Sequence, residues 1–148
     1  MVPVFHLHGE LDRKHSLVLS YYSYANAVSR LIEMNKERGK LYQEAGDTGT
    51  LIKCHGWLDY FVLSDVYAIG AGFDTSEFDI WWAIERKSRE ISNHGVLTAY
   101  MIGQTEGNAQ KVLFNSMNVN SRFIPVQDGK YEDAYWKAYE EIKAAVNT

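Results

Sequence analysis

The second half of the chain alternates between short apolar runs and segments whose apolar residues recur at helical spacing. The apolar runs lie at Val66 to Ile69, Val96 to Ile102 and Ser121 to Val126, and they predict three strands. Because the links between the segments are short, this alternation favours a parallel sheet with right-handed crossovers. The helical patterns follow the strands: one after Asp74, one over Asn108 to Met117, and one over Tyr131 to Asn147.

The first half of the chain is predicted to add strands and two helices. Val2 to Gly9 and Ser16 to Ser20 are short strand candidates, and Tyr24 to Tyr42 has apolar residues at helical spacing. A second helix is predicted within Leu51 to Val62. The pattern as a whole predicts a three-layer, Rossmann-like α/β fold, with a mostly parallel sheet of four or five strands and helices on both faces. Residues 1–148 are expected to form a single domain.

Composition and charge narrow the classes of partner. The chain is 46% hydrophobic and 14% aromatic, so it can bury a core and differs from a disordered segment. The net charge is −4 and Lys and Arg form no cluster, so neither nucleic acid nor a membrane surface is an expected partner. Cys54 is the single cysteine, which excludes an internal disulfide and favours a reducing compartment. We therefore expect a cytoplasmic protein.

A glycine turn, Gly70-Ala-Gly72, connects a predicted strand to a predicted helix. In open α/β sheets this junction, at the carboxyl end of a strand, is where ligands bind. The next helix is expected to begin with a capping box in which Asp74 caps and Glu77 reaches back. Together with Asp79, these acidic residues would compete with a phosphate and would suit a sugar hydroxyl better. The alternative is a tight turn with acidic capping and no ligand.

His6 and His8 end the first strand candidate, where alternation along a strand would place both imidazoles on one face. Two histidines could begin a metal site, but no third ligand is close in sequence, so we expect no metal. A general base is the better functional interpretation, because imidazole titrates near neutrality. The alternative is a histidine that serves only as a hydrogen-bonded strand residue.

Two motifs, H-x-H-G and I-G-x-G-F-x-x-x-E-x-D, occur in order with several aromatic segments between and after them. The segments are His6-Leu-His8-Gly9, Leu17 to Tyr21 with Tyr24, Trp57 to Phe61, Val66 to Asp74, Ser76-Glu77 and Asp79 to Trp82. This arrangement resembles the C-terminal half of SIR2-like domains. The resemblance is greatest to bacterial members with an H-x-H-G element, including relatives of the AbiH abortive-infection proteins. It covers about residues 4 to 92 and extends loosely over the remainder.

The resemblance implies a Rossmann-like fold that binds NAD. By position it assigns His8 as the base that acts on the nicotinamide ribose. The implied activity is NAD hydrolysis, or sensing of an NAD-derived nucleotide, in phage defence. The residues implied to contact the cofactor are Gly9, Gly70, Gly72, Phe73 and Asp79.

The sequence also departs from the SIR2-like pattern. Family members carry an N-terminal half with a glycine-rich turn and an Asn/Asp pair that handles nicotinamide release, and this chain begins shortly before His8. We therefore expect a partial domain that is inactive or nearly so alone, with that half or a homo-oligomeric partner covering an exposed sheet edge. The chain lacks the four-cysteine zinc module, which argues against protein deacetylation. The alternative function is a non-catalytic α/β module for assembly or partner binding.

Overall fold

The computed structural model describes residues 5, 7–8, 10–48, 52–74, 76–90, 95–104 and 109–147. Contacts within the chain divide it into two compact units. Unit 1 comprises residues 1–63 and 73–93, and unit 2 comprises residues 64–72 and 94–148. The expectation of a single domain stays a prediction. Among the described residues, no helix has the length and apolar character needed to cross a membrane.

Unit 1 is helical. Its helices are α1 (Tyr21–Thr48), α2 (Trp57–Leu63) and α3 (Phe78–Glu90), with a short 3-10 turn at Lys14–Ser16 before α1. α1 extends beyond the predicted helix at both ends. α2 is shorter than predicted, because residues 52–56 precede it without helical structure.

Two serines explain why α1 begins before the predicted helix. The Ser20 amide donates to Ser23 Oγ at 2.8 Å, and the Ser23 amide donates to Ser20 Oγ at 3.2 Å. This reciprocal pair is a capping box in which serine takes the third helical position, and it satisfies amides that a helix start leaves without partners. Apolar spacing alone places the start near Tyr24, because the capping signal consists of polar residues.

The core of unit 1 forms among its three helices. Lys87 on α3 is buried, and its Nζ donates to the carbonyl oxygen of Val62 at 3.1 Å. That carbonyl belongs to the last turn of α2, where carbonyls lack helical partners and a cation is favourable. The polar run Glu85 to Glu90 predicts a solvated end for α3, and that prediction is wrong at Lys87. The buried residues of this core cluster are Leu31, Tyr42, Leu58, Val62 and Ala83.

Unit 2 contains a parallel sheet of three strands in the order β1-β2-β3. The strands are β1 (Val66–Ile69), β2 (Leu97–Ile102) and β3 (Val119–Ile124), and the helices are α4 (Ala109–Ser116) and α5 (Tyr131–Val146). The α/β class and the parallel pairing are confirmed. The described residues form three strands rather than the four or five predicted.

The two additional strand candidates lie in the first half of the chain. Ser16 to Ser20 is not a strand: Ser16 closes the 3-10 turn, and the residues after it have no regular structure. Most of Val2 to Gly9 lies outside the described residues. The prediction is therefore wrong at Ser16 to Ser20, because a five-residue run does not specify a strand without a partner to pair with.

β2 is buried on both of its faces. On one face, Ala134 and Ala138 of α5 pack with Tyr100 and Ile124. Small side chains on α5 allow close approach of the helix to the sheet. Alternation along the strand directs the intervening side chains to the opposite face. Those side chains are also buried: Leu97, Ala99 and Met101. A continuous apolar run such as Val96 to Ile102 is typical of a strand buried on both faces, and β2 has that burial.

Candidate functional site

A histidine and a buried carboxylate meet in unit 1. His8 Nε2 lies 3.3 Å from Asp79 Oδ2 and 3.4 Å from Asp79 Oδ1. Asp79 is the second residue of α3 and is 2% exposed, whereas the His8 side chain is 30% exposed. A buried carboxylate requires hydrogen-bond donors, and a position in the first turn of a helix favours its negative charge. The sequence motifs singled out both residues but did not predict their contact.

The backbone and one aromatic ring hold His8 in place. Its carbonyl oxygen accepts a hydrogen bond from the Val18 amide at 3.0 Å. The Tyr24 ring on α1 meets the imidazole edge-on, with centroids 5.3 Å apart and an interplanar angle of 80°. Within the described part of the chain, Nδ1 of His8 has no hydrogen-bond partner. His8 therefore presents Nε2 to Asp79 and keeps its second ring nitrogen available.

Negative charge dominates the surroundings of this pair. Burial raises the pKa of the Tyr24 hydroxyl, and the carboxylates of Asp79, Glu77 and Asp74 raise it further. The pKa of Asp74 is lowered because its carboxylate accepts hydrogen bonds from the Ser76 hydroxyl at 2.6 Å and the Ser76 amide at 2.8 Å. Such a site favours groups that donate hydrogen bonds, including sugar hydroxyls, over a phosphate.

The loop before α3 follows the predicted capping box in part. The Glu77 carboxylate accepts a hydrogen bond from the Asp74 amide at 3.2 Å, as predicted, but the Asp74 carboxylate bonds to Ser76. Trp81 Nε1 donates to the Asp74 carbonyl at 2.9 Å. Phe73 has a φ of 48° and is buried, with its ring centroid 6.2 Å from that of Trp81. Phe73 and Trp81 therefore anchor the acidic loop.

A cavity of about 380 Å³ in unit 1 has Asp79 on its wall. The carboxylate that contacts His8 is thus also part of the cavity lining. α1 contributes the polar side chains of Asn26 and Arg30, and Trp57 contributes apolar surface. Arg30 is exposed and forms no ion pair with any described residue. The volume lies within the range of small-molecule pockets, which are usually about 300–1,000 Å³.

The predicted glycine turn belongs to unit 2. Gly70 has a φ of 67°, and a Cβ there would lie 2.9 Å from Tyr135 Oη, so glycine is favoured by the backbone and by packing. A Cβ on Gly72 would meet no described atom within 4 Å. Packing of the described residues therefore does not explain a glycine at position 72, where a ligand could approach the backbone.

The remaining predicted site residues can be placed only in part. Gly9 and His6 lie outside the described residues. His8, Phe73 and Asp79 belong to unit 1, which brings His8 and Asp79 into contact. Among the described residues, no group of three or more His, Cys, Asp or Glu side chains is placed to hold a metal ion.

A second buried carboxylate, Asp59 at the start of α2, was not anticipated from the sequence. It is 0% exposed and accepts hydrogen bonds from Tyr42 Oη at 2.5 Å, Arg38 Nε at 2.6 Å and the His55 amide at 2.7 Å. Burial alone would raise the pKa of Asp59, but these donors outweigh it and the pKa is lowered. The sequence feature that could have indicated this buried carboxylate is a lone acidic residue within the apolar run Trp57 to Phe61.

No protein-family model, curated protein or solved structure matches the chain. By its fold and its site, the chain is an α/β protein with a histidine–carboxylate pair whose carboxylate lines a ligand-sized cavity. The SIR2-like resemblance rests on the sequence motifs alone.

Proposed function

We propose that the chain binds NAD or an ADP-ribose-type nucleotide as part of a SIR2-like domain, with His8 as a general base. The observation that carries the proposal is the contact between His8 and Asp79, because the Asp79 side of this pair also lines a ligand-sized cavity. The motif resemblance supplies the identity of the nucleotide, the hydrolysis of NAD and the role in phage defence.

In the proposed reaction, His8 accepts a proton from a hydroxyl of the nicotinamide ribose. Loss of this proton stabilises the positive charge that develops on the sugar as the bond to nicotinamide breaks. The resulting imidazolium would be stabilised by the Asp79 carboxylate, which lies 3.3 Å from the ring. This is the role of the carboxylate in other histidine–carboxylate pairs.

The cavity lining is chemically suited to a nucleotide. Asp79 accepts hydrogen bonds and suits ribose hydroxyls, and Arg30 provides a cation without an acidic partner among the described residues. Trp57 adds an aromatic surface. The acidic loop around Asp74 opposes a phosphate, so we place the anionic part of the ligand on the Arg30 side of the cavity.

We further propose that a nucleotide ribose contacts the backbone of Gly70 and Gly72 in the glycine turn of unit 2. Gly72 offers the sharper test, because a Cβ there meets no described atom. We expect Gly72→Ala to leave the unfolding midpoint unchanged and to weaken NAD binding. Equal affinity in the variant and the wild type would exclude close approach of the ligand at Gly72.

Isothermal titration calorimetry of the purified chain with NAD and with ADP-ribose tests the proposal. We expect saturable binding of both, and weaker binding to Arg30→Gln. Loss of a charge-assisted hydrogen bond is worth about 1.5–3 kcal/mol, or roughly tenfold or more in Kd. Arg89→Gln is the matched control, because Arg89 is exposed on α3 and pairs with Glu85. Absence of binding at millimolar NAD and ADP-ribose would reject the proposal.

The role of His8 is tested separately from binding. If NAD is cleaved, His8→Ala should slow cleavage by about 10²–10⁴-fold, the usual contribution of a general base. Cleavage by His8→Ala at the wild-type rate would reject His8 as the base while leaving nucleotide binding untouched.

A second candidate function, an assembly module, is favoured by the aromatic surface of α5. Four of its aromatic side chains are 42–58% exposed although aromatic rings usually pack. They are Tyr131, Tyr135, Trp136 and Tyr139. We propose a second copy of the chain as the occupant of this surface, because the exposed rings lie on a single helix of unit 2, the unit that also carries the edge strands β1 and β3 of the described sheet.

Sedimentation velocity across a range of concentrations tests the assembly candidate. We expect wild-type dimers, and Trp136→Glu should shift the chain to monomers. Val112→Glu adds the same charge at another exposed apolar position of unit 2 and should leave the dimer intact. A monodisperse wild-type monomer at every concentration would exclude this candidate.

A further inference from the structure

We infer that Asp79 is a positioning residue that holds His8 in the tautomer protonated on Nε2, which makes Nδ1 the proton-accepting atom. The catalytic meaning of this assignment rests on the proposed role of His8 as a base. The tautomer itself is a property of the protein without ligand and can be measured independently.

The assignment follows from the donors and acceptors at the contact. Nε2 of His8 lies 3.3 Å and 3.4 Å from the two carboxylate oxygens of Asp79. An ionised carboxylate only accepts hydrogen bonds, so a lone pair on Nε2 would face two acceptors and be repelled. A proton on Nε2 converts this contact into attraction. In neutral imidazole the other nitrogen, Nδ1, then carries the lone pair.

The surroundings restrict other arrangements. Asp79 is 2% exposed and sits in the first turn of α3, where the helix favours its negative charge. The edge-on Tyr24 ring limits rotation of the imidazole, and the bond from the Val18 amide to the His8 carbonyl fixes the backbone that carries it. The contact of 3.3 Å is at the long end for an N–H···O bond, as is common for catalytic pairs before a ligand binds.

This geometry separates two functions within one side chain. Nε2 is committed to Asp79, and Nδ1 has no hydrogen-bond partner among the described residues. A substrate hydroxyl would therefore be recognised by Nδ1. When Nδ1 takes the proton, both ring nitrogens are protonated and Asp79 faces a full cation. In the proton transfer Asp79 acts only through His8 and is thus a positioning residue for that step, in addition to its place in the cavity lining.

Long-range ¹H–¹⁵N correlation spectra of the ¹⁵N-labelled full chain, at a pH where imidazole is neutral, report the tautomer of each of the five histidines. His8→Gln assigns the His8 signals. We expect His8 to show the Nε2–H pattern and a ring N–H proton that exchanges slowly because it is hydrogen-bonded. In Asp79→Asn we expect loss of that slowly exchanging proton and appearance of the Nδ1–H tautomer, because an amide can donate to Nε2.

Asp74→Asn is the matched control, because it removes a neighbouring carboxylate that bonds to Ser76 rather than to His8. It should leave the His8 pattern unchanged. A wild-type His8 protonated on Nδ1 would overturn the inference. This measurement uses the wild-type chain and so does not depend on whether an Asp79 variant folds. A His8 spectrum unaltered in folded Asp79→Asn would also overturn it.

The outcome is distinguishable from that of the proposed function. An Nε2–H tautomer in a chain that binds neither NAD nor ADP-ribose would support the positioning role and reject the nucleotide. Conversely, nucleotide binding to a chain whose His8 is protonated on Nδ1 would support the proposed function and reject the positioning role.

Discussion

Replacing Asp59 by asparagine should destabilise unit 1 more than any conservative change of a surface carboxylate. The substitution keeps the size of the side chain and removes its charge. Asp59 is fully buried and accepts from Tyr42, Arg38 and the His55 amide at 2.5–2.7 Å. Asparagine retains one acceptor oxygen and places an NH₂ group where a second acceptor is needed. At least one donor would therefore lose its partner.

The expected loss follows from these contacts. Breaking a buried ion pair by removing one partner costs about 3–5 kcal/mol. Two features reduce that figure here: the Arg38 side chain is 19% exposed and can reach water, and asparagine still accepts one bond. We therefore expect a loss of about 2–4 kcal/mol in the free energy of unfolding. Since domains are stable by about 5–15 kcal/mol, this is a large fraction of the total.

Urea unfolding followed by tryptophan fluorescence measures the effect. Three of the four tryptophans, Trp57, Trp81 and Trp82, lie in unit 1, so the signal reports mainly on that unit. Asp12→Asn is the control, because Asp12 is an exposed carboxylate of the same unit, and it should change stability by less than about 0.5 kcal/mol. Equal midpoints for Asp59→Asn and Asp12→Asn would refute the reasoning.

Asp59 also makes the free energy of unfolding depend on pH. The pKa of Asp59 is lowered in the folded protein, because the hydrogen bonds to its carboxylate outweigh the effect of burial. The unfolded chain therefore binds this proton more readily, and the stabilisation is present above the ordinary carboxyl range and lost as pH falls below about 4. The stability difference between wild type and Asp59→Asn should narrow on acidification. A difference that is constant from pH 7 to acid would contradict the lowered pKa.

Three further predictions concern positions outside the candidate site. Gly95→Ala should lower the free energy of unfolding by about 2–4 kcal/mol in chemical denaturation, because φ is 59° and a Cβ would lie 2.4 Å from the backbone of Ser64. Lys87→Met should lose about 1–3 kcal/mol in the same assay, because the Val62 carbonyl loses its donor, and an unchanged midpoint would contradict a role for this bond. Cys54 should react slowly with iodoacetamide near neutral pH, because burial raises the pKa of its thiol; alkylation as fast as that of a free thiol would contradict this.

The parallel sheet was predictable because its determinants are local. Apolar runs of four to seven residues separated by helical patterns and short links specify strands and crossovers together. The boundaries were less accurate: β3 was predicted from Ser121 and begins at Val119. The reason is Asn118, whose φ of 54° ends the preceding turn and starts the strand two residues early. Apolar spacing does not report such a backbone reversal.

The candidate site was predictable residue by residue but not as a contact. The motifs singled out His8 and Asp79, but 71 positions separate the two residues. Hydrophobic periodicity shows which residues share a face of one helix or strand, so it does not report a contact between distant elements. Asp59 shows the same limit. A lone acidic residue in an apolar run signals a buried carboxylate that needs donors, but nothing in the spacing identifies Arg38, 21 positions earlier, as one of them.

The interleaving of the two units along the chain has a consequence for synthesis. Among the described strands β1 pairs only with β2, and residues 73–93, which lie between these two strands in the sequence, belong to unit 1. On a ribosome that adds roughly 5–20 residues per second, the backbone of β1 therefore emerges seconds before its partner strand. The last segment of unit 1 is complete while the sheet of unit 2 still has one strand. A chain released between residues 93 and 97 would carry β1 without the strand that pairs with it, and such an unpaired edge invites aggregation.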